Sequence, residues 1–153
     1  MLTDRQKELV EKVGLVHEQE GLSPAVSRIL GLLLVSDQIE LTFDEIRETL
    51  NLSKSATSNA LNIAMKINRV EYITKPGDRK RYFRSKIHLW RENLMADYRK
   101  KACWADILKE VCKCRCSETK EFNHALTDLV DFVEYMSQEI PRLYKCWEQD
   151  KTK

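Results

Sequence analysis

The residues best suited to chemistry lie in one run, Lys54-Ser55-Ala56-Thr57-Ser58-Asn59, and in a second run that begins 21 residues after the first, Lys75-Pro76-Gly77-Asp78-Arg79-Lys80-Arg81. The first is small, polar and amide-bearing. A helix that begins this way lets the backbone come close to the floor of a DNA major groove. An Asn there can pair with adenine, hydroxyls can reach phosphates or base edges, and a Lys can reach phosphate or guanine. Ser53, just before it, is a good N-cap, and a capped N-terminus offers free N–H groups and partial positive charge to a phosphate. The second run clusters Lys75, Arg79, Lys80 and Arg81 around a Pro-Gly turn. A basic loop of that shape can follow a phosphate backbone or enter a minor groove.

Charge singles out the same region. Of the 153 residues, 51–86 hold nine Lys or Arg and two acids, for +7, while the rest hold 17 basic and 22 acidic residues, for −5. A basic segment in an otherwise acidic chain points to a local polyanion site.

The elements that must position these residues are mostly helical, since Gly and Pro are scarce and apolar residues recur at helical spacing. A first helix is expected from Leu2 to Glu20, with Leu2, Leu9, Val13 and Val16 in one stripe and Val10 and His17 beside it; Gly21 stops it. Ser23-Pro24 opens a second helix carrying Val26, Ile29, Leu30, Leu33 and Leu34 inward. Ile39 to Leu41 reads as a short strand. Thr42-Phe43-Asp44-Glu45 reads as a capping box opening a short helix with Phe43, Ile46 and Leu50 inward. After the tight turn Asn51-Leu52, a fourth helix runs from Lys54 to about Ile67, held down by Leu61, Ala64 and Ile67 and ended by Asn68. Val70–Thr74 and Arg81–Arg84 alternate as a β-hairpin. This order is that of a winged helix-turn-helix.

Two long helices close the chain, the first from Ile87 to Val111 or a little beyond. The second carries Phe122, Leu126, Leu129, Val133, Met136, Ile140, Leu143 and Trp147 at intervals of 4 and 3, a seam that asks for another helix alongside. Pro141 is expected to kink or split it. The fold class expected is mainly α with a small β-hairpin wing. Residues 1–20 would be an N-terminal dimerisation helix, 21–86 the DNA-binding domain and 87–153 a helical dimerisation region. Dimer contacts are expected at Leu2, Leu9, Val13, Phe122, Leu126, Leu129, Val133, Met136, Ile140 and Leu143, because this much apolar surface is unusual on a monomer.

Gly21-Leu22-Ser23-Pro24, Ser27 to Leu34, Leu52 to Ser58, Pro76 to Phe83 and Pro141-Arg142-Leu143 together resemble the GbsR-type regulators of the MarR superfamily. The resemblance covers almost the whole chain, most specifically 21–34 and 52–83. It implies a homodimer with terminal helices at its interface. It also implies operator binding through the fourth helix and the wing, with repression relieved by a small-molecule effector. Met65-Lys66-Ile67-Asn68-Arg69 departs from the family's aromatic-glycine pair, which affects how the fourth helix ends.

Other chemistry is thinly represented. Cys112, Cys114 and Cys116 could meet a metal if the segment were extended, with Cys103 and His124 as further ligands, and Lys113 and Arg115 could favour thiol oxidation. A structural zinc site would show a second cysteine pair elsewhere, and none is present. Tyr98, Trp104, Phe132, Tyr135, Tyr144 and Trp147 could line a ligand pocket, though their helical spacing suits core and dimer packing better. No nucleophile–base pair, acid pair or Gly-rich phosphate loop stands out, so neither an enzyme nor a cofactor is expected. The longest apolar stretch, Ile29 to Val35, is too short for a bilayer. With a polar N-terminus, this makes a cytoplasmic protein with free thiols the expectation. Two alternatives remain open: a winged-helix adaptor that sets its basic wing on an acidic protein, and a metal- or thiol-responsive sensor.

Overall fold

The computed structural model describes residues 2–151. In chain order its elements are α1 (Asp4–Gln19), α2 (Pro24–Val35), β1 (Glu40–Thr42), α3 (Phe43–Thr49), α4 (Lys54–Lys66), β2 (Val70–Ile73), β3 (Tyr82–Ser85), a 3-10 turn (Ile87–Leu89), α5 (Trp90–Cys114) and α6 (Lys120–Lys151). They fall into two compact units, one ending at Trp90 and the other beginning at Arg91. The first is a winged helix-turn-helix and the second is a pair of long helices. None of the helices is long and apolar enough to cross a membrane, among the described residues.

Local chemistry sets the helix boundaries. α1 starts at Asp4 rather than Leu2 because Thr3 caps it: its hydroxyl accepts the Gln6 N–H at 3.2 Å, and the Gln6 carboxamide accepts the Thr3 N–H at 2.9 Å. The expected box at α3 forms the same way, with Thr42 Oγ1 accepting Glu45 N–H at 3.2 Å and Glu45 Oε2 accepting Thr42 N–H at 2.7 Å. Ser53 Oγ accepts the Ala56 N–H at 3.2 Å and starts α4. Ser23 has the extended backbone of an N-cap before Pro24, but its side chain makes no capping bond.

Three helices end alike. Gly21, Asn51 and Asn68 have φ of 90°, 50° and 61°. At each, the N–H of that residue and of the next turn back to helix carbonyls: Gly21 to Glu18 and Leu22 to His17, Asn51 to Glu48 and Leu52 to Arg47, Asn68 to Met65 and Arg69 to Ala64. These are Schellman closures, which need a residue that tolerates the left-handed region.

α2 is the centre of the first unit. It packs against α1 on one side and against α4 and β3 on others. Its buried surface is therefore broader than one stripe: Leu32 is fully buried, while Leu34, expected inward, is 44% exposed. α1 also differs from expectation. Its buried positions are Val10 and Gly14, while Leu2, Leu9 and Val13 are half-buried and Val16 is exposed. The cause is Gly31 on α2, where the two backbones approach so closely that a Cβ would lie 2.8 Å from the Val10 carbonyl oxygen. That approach turns α1 onto its Val10–Gly14 line. Leu2 packs against the core of its own unit. The remaining core is filled by Val26, Ile29, Ile46, Leu61, Val70 and Phe83.

The sheet is antiparallel in the order β1-β3-β2, with Phe83 opposite both Leu41 and Tyr72. Short strands of this kind need helical support. Buried Phe83 and Val70 supply it by tying the hairpin to α2 and α4.

In the second unit, α5 and α6 run antiparallel. Arg91 bonds Glu148 at 3.1 Å, Lys109 pairs with Glu134, and Arg115 bonds Asn123 at 2.7 Å. Ala105, Val130 and Ile140 are buried. The expected split at Pro141 does not occur: α6 continues through it as one helix. One missing N–H is tolerated where the preceding turn is anchored by buried Ile140. The apolar seam divides. Ile140 is buried and Leu126, Val133 and Met136 are half-buried, while Phe122, Leu129, Leu143 and Trp147 remain exposed.

The α3 box also makes a pH prediction. The Thr42 hydroxyl, then the Thr42 N–H, hold the Glu45 carboxyl below its ordinary 4.5. A depressed folded value stabilises the fold above the unfolded value, and that stabilisation is lost as pH falls through the folded one. Between pH 5 and pH 3 the thermal midpoint of the wild type should fall more than that of Glu45→Gln. Equal slopes would remove the box from the acid response.

Candidate nucleic-acid interface

α4 has two faces of opposite character. Thr57, Ala60, Leu61 and Ala64 are buried and fix the helix to the core. At 100° per residue the opposite face carries Ser55, Asn59, Asn62 and Lys66, all exposed, with half-buried Ser58 on one flank and exposed Ile63 on the other. Lys54 is exposed at the N-terminal end.

Two of the expected recognition residues, and one residue expected to anchor the helix, need reassignment or refinement. Thr57 is fully buried, and its hydroxyl donates to the Ser53 carbonyl at 2.9 Å, so it belongs to the core face and cannot touch a base. Ser53 is exposed, but its hydroxyl caps α4 and lies 3.1 Å from Ser55 Oγ. Its role is to place the first turn. Ile67, expected to hold the helix down, is 39% exposed because it is the C-cap residue, beyond the last packed turn. Conversely, Asn62 and Lys66 were missed. Counting 4, 3 and 4 from Ser55 reaches Asn59, Asn62 and Lys66, and the polar type of each was the available signal.

The wing loop is built, not slack. The Asp78 N–H donates to the Lys75 carbonyl at 3.1 Å, and Gly77 has φ of 79°. With Pro76 before it, this is the geometry of a type II turn. The Asp78 carboxylate then accepts the Tyr82 hydroxyl at 2.7 Å and the Lys80 N–H at 2.8 Å. These bonds hold the Asp78 carboxyl below its ordinary range, the Tyr82 hydroxyl first.

The four wing cations differ. Lys75 pairs with Glu40 of β1 and lies 4.1 Å above the Tyr82 ring, and the Glu40 carboxylate raises its pKa above the ordinary lysine value. It therefore fixes the base of the wing, fully charged but with that charge already offset by Glu40. Arg81 stacks over Phe43 at 4.9 Å. Arg79 and Lys80 lie at the exposed tip, and neither has a carboxylate within ion-pair distance among the described residues. Arg84 pairs with Glu71, and Lys86 donates to Asn68 Oδ1 at 2.6 Å. Between α4 and the wing lies a cavity of about 310 Å³ lined by Phe43, Ser58, Leu61, Asn62, Met65, Tyr72, Arg81 and Phe83.

The cysteine cluster is not gathered into a centre. Cys112 and Cys114 are two apart on α5 and so point away from each other, and Cys116 lies in the following turn. That turn is held by Arg115 stacked over Phe122 at 4.1 Å and by Asn123 Nδ2 donating to the Cys116 carbonyl at 2.8 Å. Among the described residues, no group of three or more His, Cys, Asp or Glu is placed to hold a metal ion.

No protein-family model matches the chain. No curated protein matches it either. Among solved structures, it is similar to one described as the crystal structure of a transcriptional regulator, with 22% identity over 95% of this chain and 99% of that one and a TM-score of 0.75. It also aligns, with 17% identity over 84% of this chain and 90% of the other, to a mutant of S. aureus MepR at a TM-score of 0.43. The first likeness is one of fold, and it extends over both units.

Proposed function

We propose that the chain is a sequence-specific, double-stranded-DNA-binding transcription regulator acting as a homodimer. It would be a GbsR-type member of the MarR superfamily and a repressor relieved by a small-molecule effector in the cytoplasm. The observation that carries the reading is one unit in which a polar, acid-free helix face lies next to a stiffened basic loop. Ser55, Asn59 and Asn62 supply base-edge chemistry, while Lys54, Lys66, Arg79 and Lys80 supply phosphate chemistry. Residues 21–86 are then the DNA-binding domain, with 1–20 and 87–153 serving dimerisation. Selection of bound duplexes from a random pool tests the reading. It should return a palindrome whose half-site centres are about one helical turn, roughly 10 bp, apart. Recovery of no enriched sequence overturns sequence-specific binding.

The tip of the wing should contribute affinity without sequence preference. Arg79→Ala with Lys80→Ala should weaken binding to all duplexes by the same factor. It should also reduce the log–log salt slope by roughly 1 per lost phosphate contact in each subunit. A change in sequence preference with an unchanged slope would instead make the wing a base reader.

A further inference from the structure

The exposed face of α4 is selective in what it omits. From Lys54 to Lys66 the helix has no arginine, glutamine or acidic side chain. Guanine is read most often by a bidentate Arg or Lys, and cytosine by an acid. The two lysines stand at the ends of the helix, 12 residues and therefore about 18 Å apart. That spacing suits phosphates on either side of a groove about 12 Å wide, not neighbouring bases on its floor. Between the lysines, the side chains able to make a two-bond contact with a base are Asn59 and Asn62. Both are exposed, and they lie on one face one turn apart.

Ile63 adds an independent observation. It is 43% exposed on the third turn of a helix whose other side is packed with small and branched apolar residues. It follows Asn59 by four residues, so the two side chains are neighbours on the surface. An A·T pair presents in the major groove the adenine N7 acceptor and N6 donor beside the thymine methyl group. A carboxamide next to an exposed aliphatic side chain is complementary to that edge. It is not complementary to G·C, which offers two acceptors and an amino group but no methyl.

We infer that α4 reads adenine–thymine pairs: Asn59 and Asn62 contact adenines in each half-site, and Ile63 contacts the methyl group of a thymine. The inference rests on the DNA-binding reading above and names the bases which that site takes.

The test uses the full-length protein and a duplex recovered from the random pool, with single base analogues placed through one half-site. Replacing adenine by 7-deazaadenine removes the N7 acceptor, and replacing thymine by uracil removes the methyl group; neither changes Watson–Crick pairing. One or two 7-deazaadenine positions should each weaken binding roughly tenfold, and at least one uracil position several-fold. Asn59→Ala should abolish the penalty at one 7-deazaadenine position, and Ile63→Ala should abolish it at a uracil position, because the lost partner can no longer be missed. Both residues are exposed, so folding is preserved, and circular dichroism checks this. Penalties confined to 7-deazaguanine, or none from any analogue on a duplex that is still preferred over random DNA, overturn the inference alone. Failure to bind any duplex overturns the DNA-binding reading and this inference with it.

Discussion

A chain carrying Leu129→Glu and Leu143→Glu should sediment as a single protomer, where the unaltered chain, on the proposed homodimer, should sediment at twice its 18.0 kDa. Both leucines belong to the seam of α6 and are exposed, at 40% and 62%. Neither is needed to hold α6 to α5, since that contact uses Ala105, Val130 and Ile140 with the Lys109–Glu134 pair. Covered by a second copy, each leucine would bury apolar surface worth about 25 cal/mol per Å². A glutamate at the same position would have to be desolvated without a partner, or neutralised. Helix content should therefore stay constant while association is lost. The effect on operator binding should be larger still. A dimer presents two linked reading heads, and unlinking them removes an effective-concentration advantage of about 10² to 10⁴. The double variant should bind a full palindrome no better than the wild type binds a half-site. If it still sediments as a dimer, association runs through another surface. If the wild type sediments as a monomer at micromolar concentration, the homodimer is wrong.

The second large effect concerns Gly31. Gly31→Leu should destabilise the first unit by about 3 kcal/mol or more, since overpacking against side chains already costs about 1–3 kcal/mol. Here the obstacle is backbone: the new Cβ would lie 2.8 Å from the Val10 carbonyl oxygen and 3.4 Å from Val10 Cα. Backbone cannot rotate aside as a side chain does, so α1 as a whole must shift from α2. The thermal midpoint should drop on the order of 10 °C. Gly14→Ala is the control. A Cβ there meets only the flexible Arg28 side chain, at 3.6 Å, and alanine gains up to about 1 kcal/mol of helix propensity over glycine. Gly14→Ala should be neutral or stabilising. If Gly31→Leu were equally mild, close α1–α2 approach would not hold the unit together.

What the sequence made legible was governed by local chemistry. The Thr42–Glu45 box, the Ser53 cap, Asn68 as a left-handed C-terminus and the Pro76-Gly77 turn are all fixed by residues within a few positions of one another, and each forms where expected. Phase was harder to read. A stripe on α1 drawn through Leu2, Leu9, Val13 and Val16 ignored Val10 and Gly14, because a glycine has no apolar signal of its own and its value at an interface depends on a second helix. Thr57 was placed on the reading face by its polarity, although three residues away Ala60 and four away Leu61 mark that face as buried. Lys75 looked like the other wing cations because its partner Glu40 lies 35 residues upstream and becomes its neighbour only when β1 pairs with β3.

The separation of the two faces of α4 has a consequence for how such a protein can change. Its fit to the core depends on Thr57, Ala60, Leu61 and Ala64, and its outward chemistry on Ser55, Asn59, Asn62 and Ile63, with no residue shared between the two sets. Surface replacements away from packing and caps usually alter stability by no more than about 0.5 kcal/mol. The outward set can therefore drift almost without penalty to folding, one residue at a time. On the DNA-binding reading proposed above, duplicated copies of the chain could come to address different genes while remaining the same folded object. By the same logic, a library randomised at those four positions alone should consist mostly of folded members.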